Sequence, residues 1–348
     1  MNDKLRSFIE SAGWPRIIIA LFLLSLFIAA PFVGVRIDAY LSDTLVRVGM
    51  NGILVLAMVP MVQSGCGLNF GLPLGIIAGL LGAVTSIQLG VAGPAGFLAA
   101  IGIAAPIAAA FGWLYGQLLN RVKGDEMMIA TYVGFSSVAL MCIAWLLLPY
   151  TSPTMIWGYG GSGLRTTISV EGYWLNALSK YVNIQIGEFF YVPVGMFLFF
   201  AFVAFLVWAF FRTKIGTAVT AVGSNPEFAR ASGIDVDRMR TISVILSTVL
   251  GAVGILVYEQ SFGFIQLYMG PFYMAFPAVA AILLGGASVN KATMVNVVVG
   301  TFLFQGILTM TPSVINSVMQ TDMSEVIRII VSNGMILYAL TRKVTVKR

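Results

Sequence analysis

Histidine is missing from this sequence altogether, and cysteine occurs only twice, as Cys66 and Cys142. The first absence excludes histidine-based catalysis and histidine metal sites. The two thiols fall in or beside apolar runs, so no disulfide framework is implied. Charge is scarce as well, with Asp, Glu, Lys and Arg making up 10% of 348 residues. No G-x-x-x-x-G-K-[ST] stretch occurs, so the chain lacks the phosphate cradle of a P-loop ATP site. The stretch Gly158 to Gly163 matches G-x-G-x-x-G, but no strand precedes it and no helix opens behind it, and it reads as a glycine-rich turn.

What is present is apolar. Hydrophobic residues make up 59% of the chain and the mean hydropathy is +0.93, too little polarity to cover a soluble globule. Lipid is therefore the expected solvent, and the length allows about ten spans of about 20 residues. They read as Ile17–Gly34, Val46–Ser64, Leu68–Leu89, Ala95–Leu119 and Met127–Pro149, then Phe189–Phe211, Thr241–Tyr258, Phe272–Leu284, Ala292–Met310 and Ser324–Leu340. The basic start (Lys4, Arg6, Arg16) runs into the first span without an A-x-A site, so that span is expected to stay as a helix. The net charge of +6 is spread over short loops, which suits a membrane face and not a nucleic acid. With ten spans, one side receives 15 bases: Lys4, Arg6, Arg16, Arg121, Lys123, Arg212, Lys214, Arg230, Arg238, Arg240, Lys291, Arg342, Lys343, Lys347 and Arg348. The other receives 4, Arg36, Arg47, Arg165 and Lys180, and Arg328 lies within a span. The asymmetry predicts cytoplasmic termini and a cytoplasmic Arg212–Arg240 stretch.

The third span carries Gly67, Gly71, Gly75 and Gly79 at intervals of four, with Ala83 continuing the row. Residues four apart share a helix face, and small-residue faces let helices approach closely in lipid. The stripe is expected to pack against a neighbouring helix; the competing reading is a pathway lining. Pro73 and Pro277, in the third spans of two five-helix halves of opposite orientation, are each expected to break or kink a helix. Paired interruptions of this kind point to a site near the bilayer midplane. The long gap 150–188 is expected on the extracytoplasmic side, its aromatics Trp157, Tyr159, Tyr173, Trp174 and Tyr181 serving as interface anchors and 172–182 forming a short surface helix. Charges within spans are nearly absent: Glu259 falls at an outer helix end, and Glu325 is spaced to pair with Arg328. An ion-coupled carrier would keep carboxylates in its core, so a neutral pathway and an uncharged polar solute are expected. The uncharged polar groups available to it are Asn51, Gln63, Asn69, Thr131, Tyr132, Gln266, Tyr268 and Tyr273.

Arg212–Arg240, RTKIGTAVTAVGSNPEFARASGIDVDRMR, is the most polar long stretch. Ser224-Asn225-Pro226-Glu227 is a helix start, with either Ser224 paired to Glu227 in a capping box or Asn225 as cap before Pro226. Gly233 supplies a left-handed stop. The enclosed helix of about two turns is too short to stand alone. An ordinary loop helix resting on its own domain is the plainest account. The residues Gly216, Gly223, Asn225, Ala229, Gly233, Ile234 and Arg238, however, stand in the pattern of the cytoplasmic coupling segment of ABC importer permeases of the branched-chain amino acid, simple-sugar and nucleoside family. The resemblance extends more weakly over most of the chain. Gly67-Leu-Asn-Phe-Gly-Leu-Pro-Leu-Gly75 is similar to the motif that follows the family's second helix, with Asn69 where the sugar branch has Asp and without the Glu-Gly-Gln of the nucleoside branch. Arg121-Val-Lys-Gly-Asp-Glu-Met resembles the nucleoside branch's Lys-Gly-x-x-Glu-Val. Ala278–Gly286 resembles a late Ala-(apolar)-Gly-Gly segment, lacking the Glu-Leu-Asp that precedes it in the sugar branch.

The resemblance implies an all-α polytopic membrane protein of about ten helices, similar to type II importers, with two inverted five-helix halves. A single permease domain over 1–348 then divides into a first half 17–149, an extracytoplasmic loop 150–188 and a second half 189–340, with 212–240 the coupling loop. The implied activity is transport of a simple-sugar or nucleoside-like solute by alternating access, in a bacterial inner membrane. The alternatives are a branched-chain amino acid permease of the same family and an ion-coupled secondary carrier. The chain is expected to be no enzyme and to hold no cofactor, with ATP and Mg bound by the partner. Implied partners are two cytoplasmic ATPase subunits, a second permease copy or paralogue, an extracytoplasmic solute-binding protein and membrane lipid. Ser224, Asn225, Pro226, Glu227, Phe228, Ala229, Arg230 and Gly233 are the coupling candidates, with Phe228 the apolar anchor and Ala229 a small contact residue. Asn51, Asn69, Phe70, Tyr132, Tyr268 and Tyr273 are the pathway candidates, and Gly67, Gly71, Gly75 and Gly79 the packing face.

Overall fold

The computed structural model describes residues 14–158, 163–180, 182–187 and 189–319, together with 326, 329–331, 333 and 334. Its helices are α1 (Trp14–Ala29), α2 (Ile37–Leu56), α3 (Met58–Gln63), α4 (Leu72–Gln88), α5 (Gly93–Arg121) and α6 (Glu126–Leu147). After a non-helical stretch come α7 (Val194–Arg212), α8 (Lys214–Ser224), α9 (Pro226–Ala231), α10 (Val236–Phe262), α11 (Gly270–Leu284) and α12 (Met294–Met319). Among the described residues six segments, Ile37–Gln63, Gly93–Arg121, Glu126–Leu147, Val194–Arg212, Val236–Phe262 and Met294–Ser317, are long and apolar enough to cross a membrane. Three more, Ile17–Val33, Leu72–Gln88 and Gly270–Leu284, are apolar but shorter. The chain is thus a polytopic helical membrane protein. Of the expected tenth span, only a few residues between 326 and 334 are described, and the Glu325–Arg328 pair lies outside the described residues.

Contacts between distant loops sort the helix ends into two sets. At one end Gln63 Nε2 donates to the Ala292 carbonyl at 2.5 Å, Asn120 Nδ2 donates to the Asp237 carbonyl at 2.9 Å, and Gly65 meets Gly223. At the opposite end Ser42 Oγ donates to the Tyr191 carbonyl at 2.8 Å, Gln88 reaches Thr151 and Tyr268 OH donates to the Leu164 carbonyl at 3.2 Å. The first set holds Arg121, Lys123, Lys214, Arg230, Arg238 and Lys291 and is called the basic end below.

α10 lies at the centre. Its buried residues include Ser243, Ser247, Thr248, Gly251, Ala252 and Gly254, which give it small faces. Lipid tails are as apolar as leucine, so helices here associate through close packing and hydrogen bonds, not through escape from water. Small faces permit that closeness. A Cβ on Gly75 of α4 would overlap the Thr248 carbonyl, and one on Gly79 would lie 2.7 Å from the Ala252 carbonyl. On α5, a Cβ at Gly112 would lie 2.8 Å from Ile245 Cα and one at Gly116 3.1 Å from Thr241 Cα. The other two members of the expected stripe precede α4, so they share no helix face with Gly75 and Gly79, and they meet side chains: Gly71 faces Tyr115, and Gly67, at φ 79°, faces Met127.

The kink expected at Pro73 is not there. Pro73 occupies the first turn of α4, where its missing N–H costs nothing. The irregular backbone lies just before it, in the largely buried segment 64–71. Pro271 in the first turn of α11 repeats the arrangement at the opposite end of the molecule, after β4 (Phe264–Gln266) and the short segment 267–269. Pro277 lies within α11 without interrupting it. The break that does occur inside a span, at Ala57 between α2 and α3, comes three residues before Pro60. The Ala57 carbonyl accepts from Ser247 Oγ at 2.5 Å.

The all-α expectation is corrected by short antiparallel strands, three between α6 and α7 and one before α11. β1 (Thr167–Ser169) pairs with β4, and β2 (Ile184–Ile186) forms a hairpin with β3 (Phe190–Val192). That hairpin takes up the start of the expected Phe189–Phe211 span, so α7 opens only after Pro193. Over 172–179 the expected surface helix is replaced by a run of turns, because Asn176 takes a left-handed φ of 52° that a helix cannot accommodate. Tyr159, Tyr181 and most of the glycine-rich turn lie outside the described residues.

Candidate functional site

The basic end carries a folded segment between α7 and α10. Thr213 caps α8, its side chain accepting from Gly216 N at 3.1 Å. A Cβ at Gly216 would overlap the Phe210 carbonyl, so the reversal out of α7 requires glycine there. Near the end of α8, a Cβ on Gly223 would come 3.0 Å from Gly65 N, which shows how closely the segment rests on the membrane body. The reading of 212–224 as loop is thus corrected: Lys214–Ser224 is an 11-residue helix.

Of the two possible starts for α9, the structure uses Asn225. Its Oδ1 accepts from Phe228 N at 2.9 Å, and Pro226 follows as the first helical residue. The Ser224–Glu227 capping box is absent, because Ser224 belongs to α8 and donates to the Thr220 carbonyl at 2.9 Å. α9 ends at Ala231, and Gly233 then turns left-handed at φ 80°. Ile234 N returns to the Ala229 carbonyl at 3.0 Å, closing the end. Asp235 at once caps α10, accepting from Arg238 N at 3.0 Å. Six residues of helix would not hold by themselves. What holds α9 is a small apolar cluster of Val222, Ala229 and Val236 with Ile234 and Met239 against it.

That cluster decides which side chains are free. Ala229 is fully buried within it, so its expected role as a contact residue for a partner is corrected: its small size serves internal packing. Phe228 points away and is 67% exposed, flanked by exposed Glu227 and Arg230. A Cβ at Gly233 would touch nothing within 4 Å, so substitution there acts through the backbone alone. Gly233→Val is expected to strain the left-handed turn by about 1–2 kcal/mol and loosen α9. Limited proteolysis within 226–235 should speed up relative to the parent; unchanged cleavage would show that the turn does not hold the helix.

The pathway candidates divide. Phe70 lies 6.1 Å, ring to ring, from Phe276, and Phe276 lies 6.0 Å from Phe135, which is 5.1 Å from Phe272. Tyr132, one turn before Phe135 on α6, and Tyr273, next to Phe272 on α11, are both exposed. These form a half-open aromatic face between α6 and α11. Phe135, Phe272 and Phe276 were not among the expected residues, although the 132/135 and 272/276 spacings place each pair on one helix face. Asn69 is instead fully buried in a polar chain, with Tyr115 OH donating to its Oδ1 at 3.4 Å and its Nδ2 donating to Ser247 Oγ at 2.7 Å. Asn51 lies on α2 and donates to the Arg47 carbonyl at 2.9 Å, and Tyr268 belongs to the end opposite the basic one. Glu259, expected at a helix end, is three residues from the end of α10 and fully buried.

A buried charged pair was not foreseen. Arg240, counted as a loop base, lies in the second turn of α10, buried, with its guanidinium paired to Glu126 and its Nε donating to Cys66 Sγ at 3.2 Å. The charges in its first turn hid the true start of that helix, although the Asp235 cap signals it.

The described residues thus form a multi-pass helical protein with a short capped helix held at its basic end. The model of the branched-chain amino acid transport system permease component family matches residues 40–339, and the chain belongs to that family. It is 38% identical over 92 residues to the nucleoside ABC transporter permease protein NupC of Lactococcus lactis subsp. cremoris (strain MG1363), covering 26% of this chain and 29% of that one. It is 26% identical over 212 residues to the autoinducer 2 import system permease protein LsrC of Escherichia coli O9:H4 (strain HS), covering 58% and 59%. With LsrC of Enterobacter sp. (strain 638) the identity is 27% over 214 residues, covering 62% and 57%. The chain thus spans less than two thirds of each of these curated relatives. No solved structure matches it.

Proposed function

We propose that the chain is the membrane-spanning subunit of an ATP-driven importer of a small, uncharged polar solute of nucleoside or sugar-like type. Family membership supports the transport role, and the printed names of the relatives, a nucleoside permease and an autoinducer 2 import permease, support the solute class over a branched-chain amino acid. The single observation that carries the mechanism is α9, a short helix secured at both ends that turns one large apolar side chain, Phe228, outward. In this reading α9 seats in a groove of a cytoplasmic ATPase. Two ATPase subunits bind ATP and Mg, and their closure drives the coupling helices of two permease copies, or of one copy and a paralogue. The permeases rock about a central path, and an extracytoplasmic binding protein delivers the solute. The aromatic face between α6 and α11 is the path-lining surface, with Phe70, Tyr132 and Tyr273 on it. Ten spans in two inverted halves suit the irregular, proline-opened entries to α4 and α11 at opposite ends of the molecule.

The solute is tested by purifying the partner binding protein and identifying its bound ligand by mass spectrometry. A nucleoside-like or sugar-like molecule is expected, and a branched-chain amino acid would overturn the assignment. Sidedness is tested separately. Single cysteines at exposed Gln185 and Ser232, in a chain lacking Cys66 and Cys142, are expected to label from opposite faces of the inner membrane. Labelling of both by an impermeant reagent outside intact cells would rule out a cytoplasmic α9.

A further inference from the structure

The Arg240–Glu126 pair joins two parts of the molecule that the proposed function keeps separate. Arg240 belongs to the second turn of α10, whose first turn supplies Val236 and Met239 to the cluster holding α9. Glu126 is the first residue of α6, and its other oxygen, Oε2, accepts from Gly124 N at 2.9 Å. The side chains of the pair are 9% and 16% exposed. A neighbouring pair, Lys123 with Asp237 at 2.5 Å, is 41% and 53% exposed, and Asn120 Nδ2 adds a bond to Thr241 Oγ1 at 3.0 Å. Exposed pairs hold geometry weakly. A pair withdrawn from water is different: losing one partner leaves the other charge buried and uncompensated.

The tie fastens the start of α6, which packs against the rest of the chain along one side only. Its buried residues are Ala130, Gly134, Val138 and Trp145, with Gly134 close enough to the Phe70 carbonyl that a Cβ would lie 2.8 Å away. Partly buried Met127, Ile129, Val133 and Met141 flank that stripe, and the opposite side, with Tyr132, Phe135 and Ser136, is exposed. About 9 Å along the helix from Glu126 is Tyr132, and about 13 Å along is Phe135, at 1.5 Å per residue.

We infer that Arg240 and Glu126 are positioning residues, forming the strut through which displacement of α9 and the start of α10 reaches α6 and the aromatic face. The inference rests on the reading of α9 as the coupling helix. It also accounts for the Lys123-Gly124-Asp125-Glu126 motif: Glu126 forms the strut, Gly124 N steadies it, and Lys123 adds a solvent-exposed brace.

The test uses the full chain assembled with its ATPase subunits in nanodiscs. Ser136→Cys, exposed on α6 one turn beyond Tyr132, serves as the probe in a Cys142→Ser chain, with buried Cys66 left in place. Its modification by a water-soluble maleimide is timed with and without a non-hydrolysable ATP analogue. A several-fold change is expected in this parent, and none in Glu126→Gln although the ATPase still co-purifies. Lys123→Ala, which removes only the exposed pair, should respond like the parent. If Glu126→Gln does not assemble, Arg240→Lys replaces it; it keeps the charge but loses the Nε contact to Cys66, and a reduced response is expected. A full parental response in either variant overturns the strut while leaving the coupling reading intact. A parent that binds ATPase and nucleotide yet shows no change overturns both.

Discussion

Gly75→Leu is expected to lose most of its membrane yield and to melt well below the parent in detergent, whereas Gly102→Leu is expected to behave like the parent. Both are apolar additions to a glycine within an apolar helix, and a hydropathy argument does not separate them. Their surroundings do. A Cβ at Gly75 would overlap the backbone carbonyl of Thr248 and lie 3.3 Å from Gly251 Cα, while one at Gly102 would find nothing within 4 Å. Overpacking costs about 1–3 kcal/mol where side chains can shift, and occasionally more. At Gly75 the obstacle is main chain, so relief requires α4 and α10 to separate. Matching yield and melting temperature for the two variants would show that the stripe is not a packing face. A stable Gly75→Leu that had lost transport would return it to the pathway.

Phe228→Ala should abolish co-purification of the ATPase and leave the melting temperature of the isolated permease unchanged. The two effects separate because the side chain is 67% exposed and contributes little to the chain's own core. A central aromatic seated in a partner's pocket is typically worth about 2 kcal/mol or more, about thirty-fold in affinity. Transport and solute-stimulated ATP hydrolysis should fall with it. Undiminished ATPase binding together with normal transport would reduce α9 to an ordinary loop helix.

How far the chain could be read in advance depended on whether the deciding signal was local. The left-handed stop at Gly233 and the close approach of Gly75 and Gly79 to α10 are signalled by neighbouring residues. Asn225 and Ser224 offered equivalent caps, and α8 extending through Ser224 settled which was used. Arg240 looked like a loop base because charge weighs against a span in any hydropathy window, and its partners, Glu126 and Cys66, are more than a hundred residues away. The apolar run at 190–192 passed for the start of a helix because a strand in a hairpin and one turn of a membrane helix have similar composition. Family resemblance implied a role for 212–240 but not the internal packing of Ala229. That position follows from Val222 and Val236, which the pattern does not include.

The contact of α4 and α5 with α10 through glycine, main chain and short hydroxyl side chains has a mechanical consequence. Two helices that meet through long side chains can slide, because each chain has other rotamers to adopt. Where main chain meets main chain there are no torsions to exchange, and any displacement opens a gap in the van der Waals contact. The three helices are therefore expected to move as one stiff block, with shape change falling at its borders. Such a block is a fulcrum: it turns as one piece, and its rigidity sets how much of a push at one end of the protein survives to the other.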